Sequence, residues 1–318
     1  MRAVRLIEYN GPDAVEIVDI DEPLCDGNVL VDLHAAGVGF PDLLLSRAGY
    51  QVVRPLPALL GMEGSGVVRS APGCHGLRPG QRVAVFSDAG TWQQTVAIDP
   101  QSVFPLPDTV SFAAGAGFLL NYLTVHFALD ERARYRPGET VLVHGAARGI
   151  GVAALQVASA LGLHTIAVVS TDAKAEVARA NGATFVIGAD GFKDHVLELT
   201  QGRGVDIILD PVGGERFTDS LRSLAPGGRA VVLGFTAPTV KVNRLLLRNI
   251  SVVGAGWAEY MRADPSYPAR QWATLGPLLE NGDLTIVEPT IYPIERAADA
   301  LRALDARAAS GKIVLALR

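Results

Sequence analysis

The chain has 318 residues, with 28 Lys and Arg against 33 Asp and Glu and a net charge of -5, a length that suits about two domains. Mild acidity with scattered cations argues against a nucleic-acid-binding face, and no apolar run reaches the roughly 18 residues of a membrane span. Two cysteines, Cys25 and Cys74, make no disulfide framework and suit a reducing cytoplasm, while the opening Met1-Arg2-Ala3-Val4-Arg5-Leu6-Ile7-Glu8 meets an acid too early for a secretion signal.

The first part of the chain reads as short strands between turns. Val29–Leu33, Gly64–Val68 and Gly80–Val85 are strand candidates, punctuated by Gly11-Pro12, Pro55, Pro57, Pro72-Gly73 and Pro79-Gly80. Phe112 to Leu129 is apolar and rich in Ala and Leu, which predicts one or two helices, and Pro137-Gly138-Glu139 marks a turn.

A strand–helix alternation follows. Strands are predicted at Thr140–His144, Thr165–Val169, Phe185–Ile187, Val205–Leu209, Arg229–Leu233 and Ile250–Val253, with helices at Ile150–Leu161, Lys174–Asn181, Phe192–Thr200 and Phe217–Leu224. Apolar strands alternating with helices predict a parallel sheet covered on both faces, the doubly wound α/β dinucleotide fold. Beyond it, Trp272–Glu280 and Ile294–Leu304 read as helices and Lys312–Leu317 as a closing strand.

The sharpest motif is His144-Gly145-Ala146-Ala147-Arg148-Gly149-Ile150-Gly151, between a buried strand and an apolar helix. Small residues let the backbone approach a pyrophosphate, and the helix N-terminus adds free N–H groups and partial positive charge. Ala147, Arg148, Gly149, Ile150 and Gly151 are therefore candidate cofactor contacts. The alternative is a tight turn with no ligand.

The second strand runs into Ser170-Thr171-Asp172-Ala173-Lys174. An acid at this strand's end usually bonds the ribose of NAD. Here hydroxyls and a lysine follow, which can hold a 2′-phosphate. The pattern predicts NADPH, with Ser170, Thr171 and Lys174 around the phosphate. Asp172 pulls the other way, and Lys174 has a blander alternative as a solvated lysine at a helix start.

Several segments, in order, carry a family resemblance: Met1-Arg2-Ala3-Val4, Ala35-Ala36-Gly37-Val38-Gly39-Phe40-Pro41-Asp42, Gly61-Met62-Glu63-Gly64-Ser65-Gly66, Pro79-Gly80-Gln81-Arg82-Val83, the glycine loop, Asp210-Pro211-Val212-Gly213-Gly214, Gly234-Phe235 and Gly311-Lys312-Ile313-Val314-Leu315. With them the chain resembles the zinc-independent, zeta-crystallin-like quinone oxidoreductase branch of the medium-chain dehydrogenase/reductase family. The resemblance implies a GroES-like β-rich domain over residues 1–121, completed by 266–318, and an inserted NADPH-binding Rossmann domain over 122–265. It assigns the 2′-phosphate to Ser170 and Lys174, although a tyrosine that often assists is absent near Gly188-Ala189. It also places Thr124, Gly234, Phe235 and Lys312 along the cofactor, with Gly234-Phe235 toward the nicotinamide.

Zinc-dependent relatives of that family use a Cys, a His and a further Cys or acid. Here the first position falls near Gly39 and the His is replaced by Met62, whose thioether is a poor zinc ligand. Cys74-His75 is the one Cys–His neighbour pair, and it reads as a surface turn. No metal is expected. Without a Lewis acid the acceptor must already be electrophilic: a quinone, an α,β-unsaturated carbonyl or an enoyl thioester.

Tyr50 is the candidate proton donor, where similar enoyl-thioester reductases place a catalytic tyrosine; the alternative is a loop tyrosine on a pocket wall. Asp42 is read as the N-cap of a helix beginning at Leu43. His34, His126, His144, His164 and His195 read as strand-end or surface histidines. Two rivals stand beside quinone or enone reduction: an enoyl-thioester reductase, and a non-catalytic NADPH-binding, crystallin-like protein. The apolar segment from Val240 to Gly254 ends the sheet with an edge that needs cover, which predicts a homodimer; a shielded monomer is the alternative.

Overall fold

A computed structural model describes residues 1–73, 76–234, 242–306 and 311–318. The chain divides into two units: Met1–Leu120 with Pro268–Trp272 and Ile286–Arg318, and Asn121–Tyr267 with Ala273–Thr285.

The first unit is built on a strand longer than its apolar core advertises. Val29–Val38 alternates buried and half-buried residues over its first half, as a strand with one face in the core should. It pairs antiparallel with Glu63–Ser70, Thr95–Ile98 and Ile313–Ala316, so the C-terminal strand closes this sheet. Arg82–Phe86 and Val103–Pro105 extend the sheet on one side, and Thr290–Pro293 on the other. A smaller sheet joins Val15–Asp19, Arg2–Leu6 and Ala58–Leu59. Trp92 is fully buried among these strands and donates its indole N–H to Gly37 O at 2.8 Å.

One local expectation is met in its two-helix form and another changes. The apolar stretch after Ser111 is two helices, Phe112–Ala116 and Leu119–Phe127, and Gly117 caps the first. The helix expected from Leu43 begins at Phe40 and runs to Ser46. Gly39 is its N-cap, and Asp42, at the third helical position, accepts the Gly39 N–H at 2.8 Å. Asp42 does cap this helix, reaching back from its first turn.

Among the described residues of the second unit, six strands form one parallel sheet. The order is Phe185–Gly188, His164–Val169, Thr140–His144, Val205–Asp210, Leu224–Val232, Ser251–Gly254. Every residue of Val205–Asp210 is buried, the mark of a strand covered on both faces. Chain order reverses between Thr140–His144 and Val205–Asp210, and that switch point opens a crevice at the strands' C-terminal ends. Helices Asn243–Arg248 and Trp257–Ala263 precede and follow the last strand. Neither was expected, because each is short and carries charges without a clear apolar stripe. Among the described residues, no helix is long and apolar enough to cross a membrane.

Candidate active site

The glycine loop leaves the C-terminal end of Thr140–His144 and enters the helix Gly149–Ala160. Gly145 takes φ +61°, and a Cβ there would lie 3.1 Å from Val212 Cγ2. Gly151 is required by packing: its Cβ would fall 2.2 Å from Gly145 O. Ala147 is buried, and Arg148 is the extended N-cap residue with no side-chain cap bond. The N–H groups of the first turn have no helical partners by the geometry of any helix start, and they carry the positive end of the dipole. A Cβ on Gly149 would sit 2.9 Å from Asn121 Nδ2, so the Asn121 side chain packs against this turn in the space a larger residue would need. A backbone cradle at a helix N-terminus fits a pyrophosphate.

Ser170 follows the second strand, and Thr171 caps the helix Asp172–Ala180, its hydroxyl accepting the Lys174 N–H at 3.4 Å. The Lys174 ammonium donates to Ser170 Oγ at 2.8 Å. Ser170 and Lys174 therefore present a hydroxyl and a cation together, while the Thr171 hydroxyl is occupied by the helix. Thr124 is half-buried in Leu119–Phe127. Gly234 lies at the exit of the fifth strand, where a Cβ would approach Pro211 O at 3.3 Å. Phe235 lies outside the described residues, as do Cys74 and His75.

Sequence reasoning missed the polar groups beneath this crevice. His144 is 2% exposed and its Nε2 lies 2.9 Å from Ser220 Oγ. Burial holds its pKa below the ordinary imidazole value, partly offset by Asp210. Asp210, also buried, accepts the N–H groups of Val212 and Gly213, both at 2.8 Å. His126, read as a surface or strand-end residue, is instead buried within its helix.

In the first unit the largest surprise is a buried charge cluster. Lys312 Nζ lies 2.6 Å from Glu63 Oε1, and the two side chains are 12% and 2% exposed. Glu63 Oε2 accepts the Leu120 N–H at 2.8 Å. Two glycines make the room: a Cβ on Gly37 would fall 2.6 Å from Glu63 Cγ, and one on Gly117 would fall 2.7 Å from Lys312 Cγ. Nearby Asp42 bonds the N–H groups of Gly39 and Gly61. Desolvation pushes its pKa up to about 6, against the pull of those bonds and of Lys312. Glu63 was legible only as part of a motif; nothing local marks it as the partner of Lys312.

The zinc question turns on the same cluster. Gly39 offers no side chain, Met62 is a core residue, and both Glu63 oxygens are committed to Lys312 and Leu120. Among the described residues no three metal-ligating side chains converge, and these residues do not fit a catalytic zinc. Tyr50 is half-buried and packs against the first unit's core, beyond the helix Phe40–Ser46.

Two family models match the chain: an alcohol dehydrogenase GroES-like domain over residues 25–108 and a zinc-binding dehydrogenase over 149–273. The chain is 34% identical to quinone oxidoreductase-like protein 2 of Rattus norvegicus, covering 100% of this chain and 92% of the relative. It is similar to the crystal structure of the quinone oxidoreductase from Thermus thermophilus, solved also with NADPH, at 33% identity and TM-score 0.88 over 100% of both chains. It is also 33% identical over 93% of its length to 8% of the pikromycin polyketide synthase component PikAII of Streptomyces venezuelae.

Proposed function

The chain belongs to the medium-chain dehydrogenase/reductase family, in its quinone oxidoreductase branch, and on that premise we propose that it is an NADPH-dependent oxidoreductase reducing a quinone or another activated double bond. One observation carries the cofactor half of this reading: a glycine-bordered backbone turn at the start of Gly149–Ala160, with the Ser170–Lys174 pair at the end of the next strand. NADPH, when bound, supplies the hydride.

The chain's own residues bind and orient. Ala147, Arg148, Gly149, Ile150 and Gly151 border the pyrophosphate, held by their backbone N–H groups other than that of Arg148, which bonds Gly145 O at 3.2 Å, and Ser170 and Lys174 hold the 2′-phosphate, with Thr171 fixing the turn between them. By the family resemblance, Thr124, Gly234, Phe235 and Lys312 are the further candidates for contact with the cofactor. Tyr50 offers a proton to the oxyanion that develops on the acceptor. No step uses a metal, which agrees with the poor fit of Gly39, Met62 and Glu63 to zinc. The protein acts in the cytoplasm and needs neither nucleic acid nor membrane.

A homodimer completes the reading. Ser251–Gly254 ends the sheet, and Leu246 and Leu247 beside it are 78% and 79% exposed; an open edge next to apolar side chains favours pairing with a second copy. Residues 240–241 of the segment expected to pair lie outside the described residues.

A second acceptor class is the enoyl thioester, whose double bond is likewise activated for hydride without a Lewis acid. The test follows loss of NADPH and NADH absorbance against a benzoquinone, a naphthoquinone, an enone and crotonyl-CoA. Quinone- or enone-dependent NADPH loss is the expected result, and crotonyl-CoA turnover moves the acceptor to thioesters. NADPH binding with no turnover on any of them leaves a binding protein.

A further inference from the structure

We propose that Asp210, whose side chain bonds the turn that follows it, is the positioning residue that sets the spacing of the dinucleotide crevice. The inference rests on the cofactor reading above and names a residue that reading does not use.

Locally, the carboxylate organises its own turn. Asp210 is the last residue of Val205–Asp210 and is 3% exposed. Its Oδ1 accepts two successive backbone N–H groups, from Val212 and Gly213, at 2.8 Å each. Bonds from N–H groups to a charged acceptor are stronger than neutral ones. Together they force the chain to fold back immediately after the strand. Gly213 then takes φ 61°, ψ -145°, a conformation that L side chains avoid. Oδ2 is buried and has no hydrogen-bond partner among the described residues. An isolated buried carboxylate oxygen is costly, so the packing of this site is not what favours an acid here; the turn is.

The turn has two neighbours, and both belong to the proposed cofactor surface. On one side its Val212 abuts the glycine loop, with Cγ2 3.1 Å and Pro211 Cγ 3.9 Å from the position a Gly145 Cβ would take. On the other, Pro211 O lies 3.3 Å from the position of a Gly234 Cβ, and the Leu233 N–H bonds Asp210 O at 3.2 Å. Val212 and Pro211 therefore act as a spacer between the loop that starts the pyrophosphate cradle and the strand exit at Gly234. The spacer stands at the switch point, where the crevice opens. If Asp210 releases the turn, both walls lose their stop.

The test measures NADPH affinity by fluorescence titration, alongside thermal unfolding, for wild type, Asp210→Ala, Asp210→Asn and Val212→Ala. Asp210→Ala should weaken NADPH binding by about tenfold or more, the loss of two charge-assisted bonds. Asn keeps an acceptor for both N–H groups and should restore binding to within about threefold. Val212 is 39% exposed, so Val212→Ala should fold normally and still weaken binding by about threefold, because it trims the spacer alone. Ser220→Ala removes the hydroxyl on His144 without touching the turn. It should leave affinity unchanged, which separates positioning from a general loss of stability. Wild-type affinity in folded Asp210→Ala, or in Val212→Ala should the former not fold, overturns the inference. Failure of the wild type itself to bind NADPH overturns the cofactor reading instead.

Discussion

Glu63 and Lys312 meet at 2.6 Å inside the first unit, in a space that Gly37 and Gly117 leave open for them. A buried ion pair is weak evidence of stability in itself, yet removing one partner strands the other charge at a cost of roughly 3–5 kcal/mol. Glu63→Gln should therefore lower the thermal midpoint sharply, and Glu63→Gln with Lys312→Met should recover much of that loss, since no charge is then left alone. Denaturant unfolding of the two single variants and the double variant reads this coupling. Additive losses would show that the pair is not energetically linked.

Asp42 should make its own mark on stability against pH. Its folded pKa is raised from 3.8 to about 6 by burial, so the folded chain binds this proton more tightly than the unfolded one. The ionised form weighs against folding above pH 6, and that penalty is relieved as pH falls from about 6 toward 4, by roughly 3 kcal/mol at most. The wild type should therefore gain stability relative to Asp42→Asn across this window. Comparison with the variant removes the opposite trend of paired carboxylates such as Asp32 and Asp206, whose lowered values cost stability in acid. A flat difference between pH 7 and 4 would falsify the raised pKa of the buried Asp42.

Lys174 should separate the two nicotinamides. Its ammonium already sits 2.8 Å from Ser170 Oγ, ready for a phosphate. Lys174→Ala should raise KM for NADPH by about tenfold and leave KM for NADH within about twofold, with kcat largely kept. Equal effects on both cofactors would return Lys174 to the role of a solvated helix-start residue.

Tyr50→Phe should discriminate between acceptors. Quinone reduction yields an oxyanion that water can protonate, whereas an enolate gains more from a placed acid. Enone or crotonyl-CoA turnover should fall by about a hundredfold while quinone turnover stays near wild type. If both hold steady, Tyr50 is a wall residue.

Chelation offers a separate check. With Gly39 and Met62 where ligands are needed and Glu63 engaged elsewhere, prolonged dialysis against a chelator should leave turnover and thermal midpoint unchanged. Lost activity restored by zinc would reverse the reading of this site.

The reach of sequence reasoning followed the distance over which information is written. The alternation of apolar strands and helices from Thr140 to Leu233 was legible because each element carries its own period. The glycine loop was legible because strand, small residues and helix are contiguous. Membership of the family rested on ordered motifs spread along the whole chain, and the relatives agree with it. Where local signals were weak, as in Arg2–Leu6 or Asn243–Arg248, elements went unseen. Asp42 was read as a helix cap from its type, and its place within the helix had to wait for the Gly39 N–H it bonds.

By itself, then, the sequence determined the parallel sheet, the glycine loop at the start of Gly149–Ala160, the Ser170–Lys174 spacing and the residue types at Gly39 and Met62, since all are matters of residue type at short range. Only the tertiary structure decided that Lys312 faces Glu63, that His144 faces Ser220, and that the turn after Asp210 stands between Gly145 and Gly234. These partners lie far apart along the chain, and no local propensity encodes them. They meet because the folding of each unit buries them together, and buried polar groups must then find one another or remain costly.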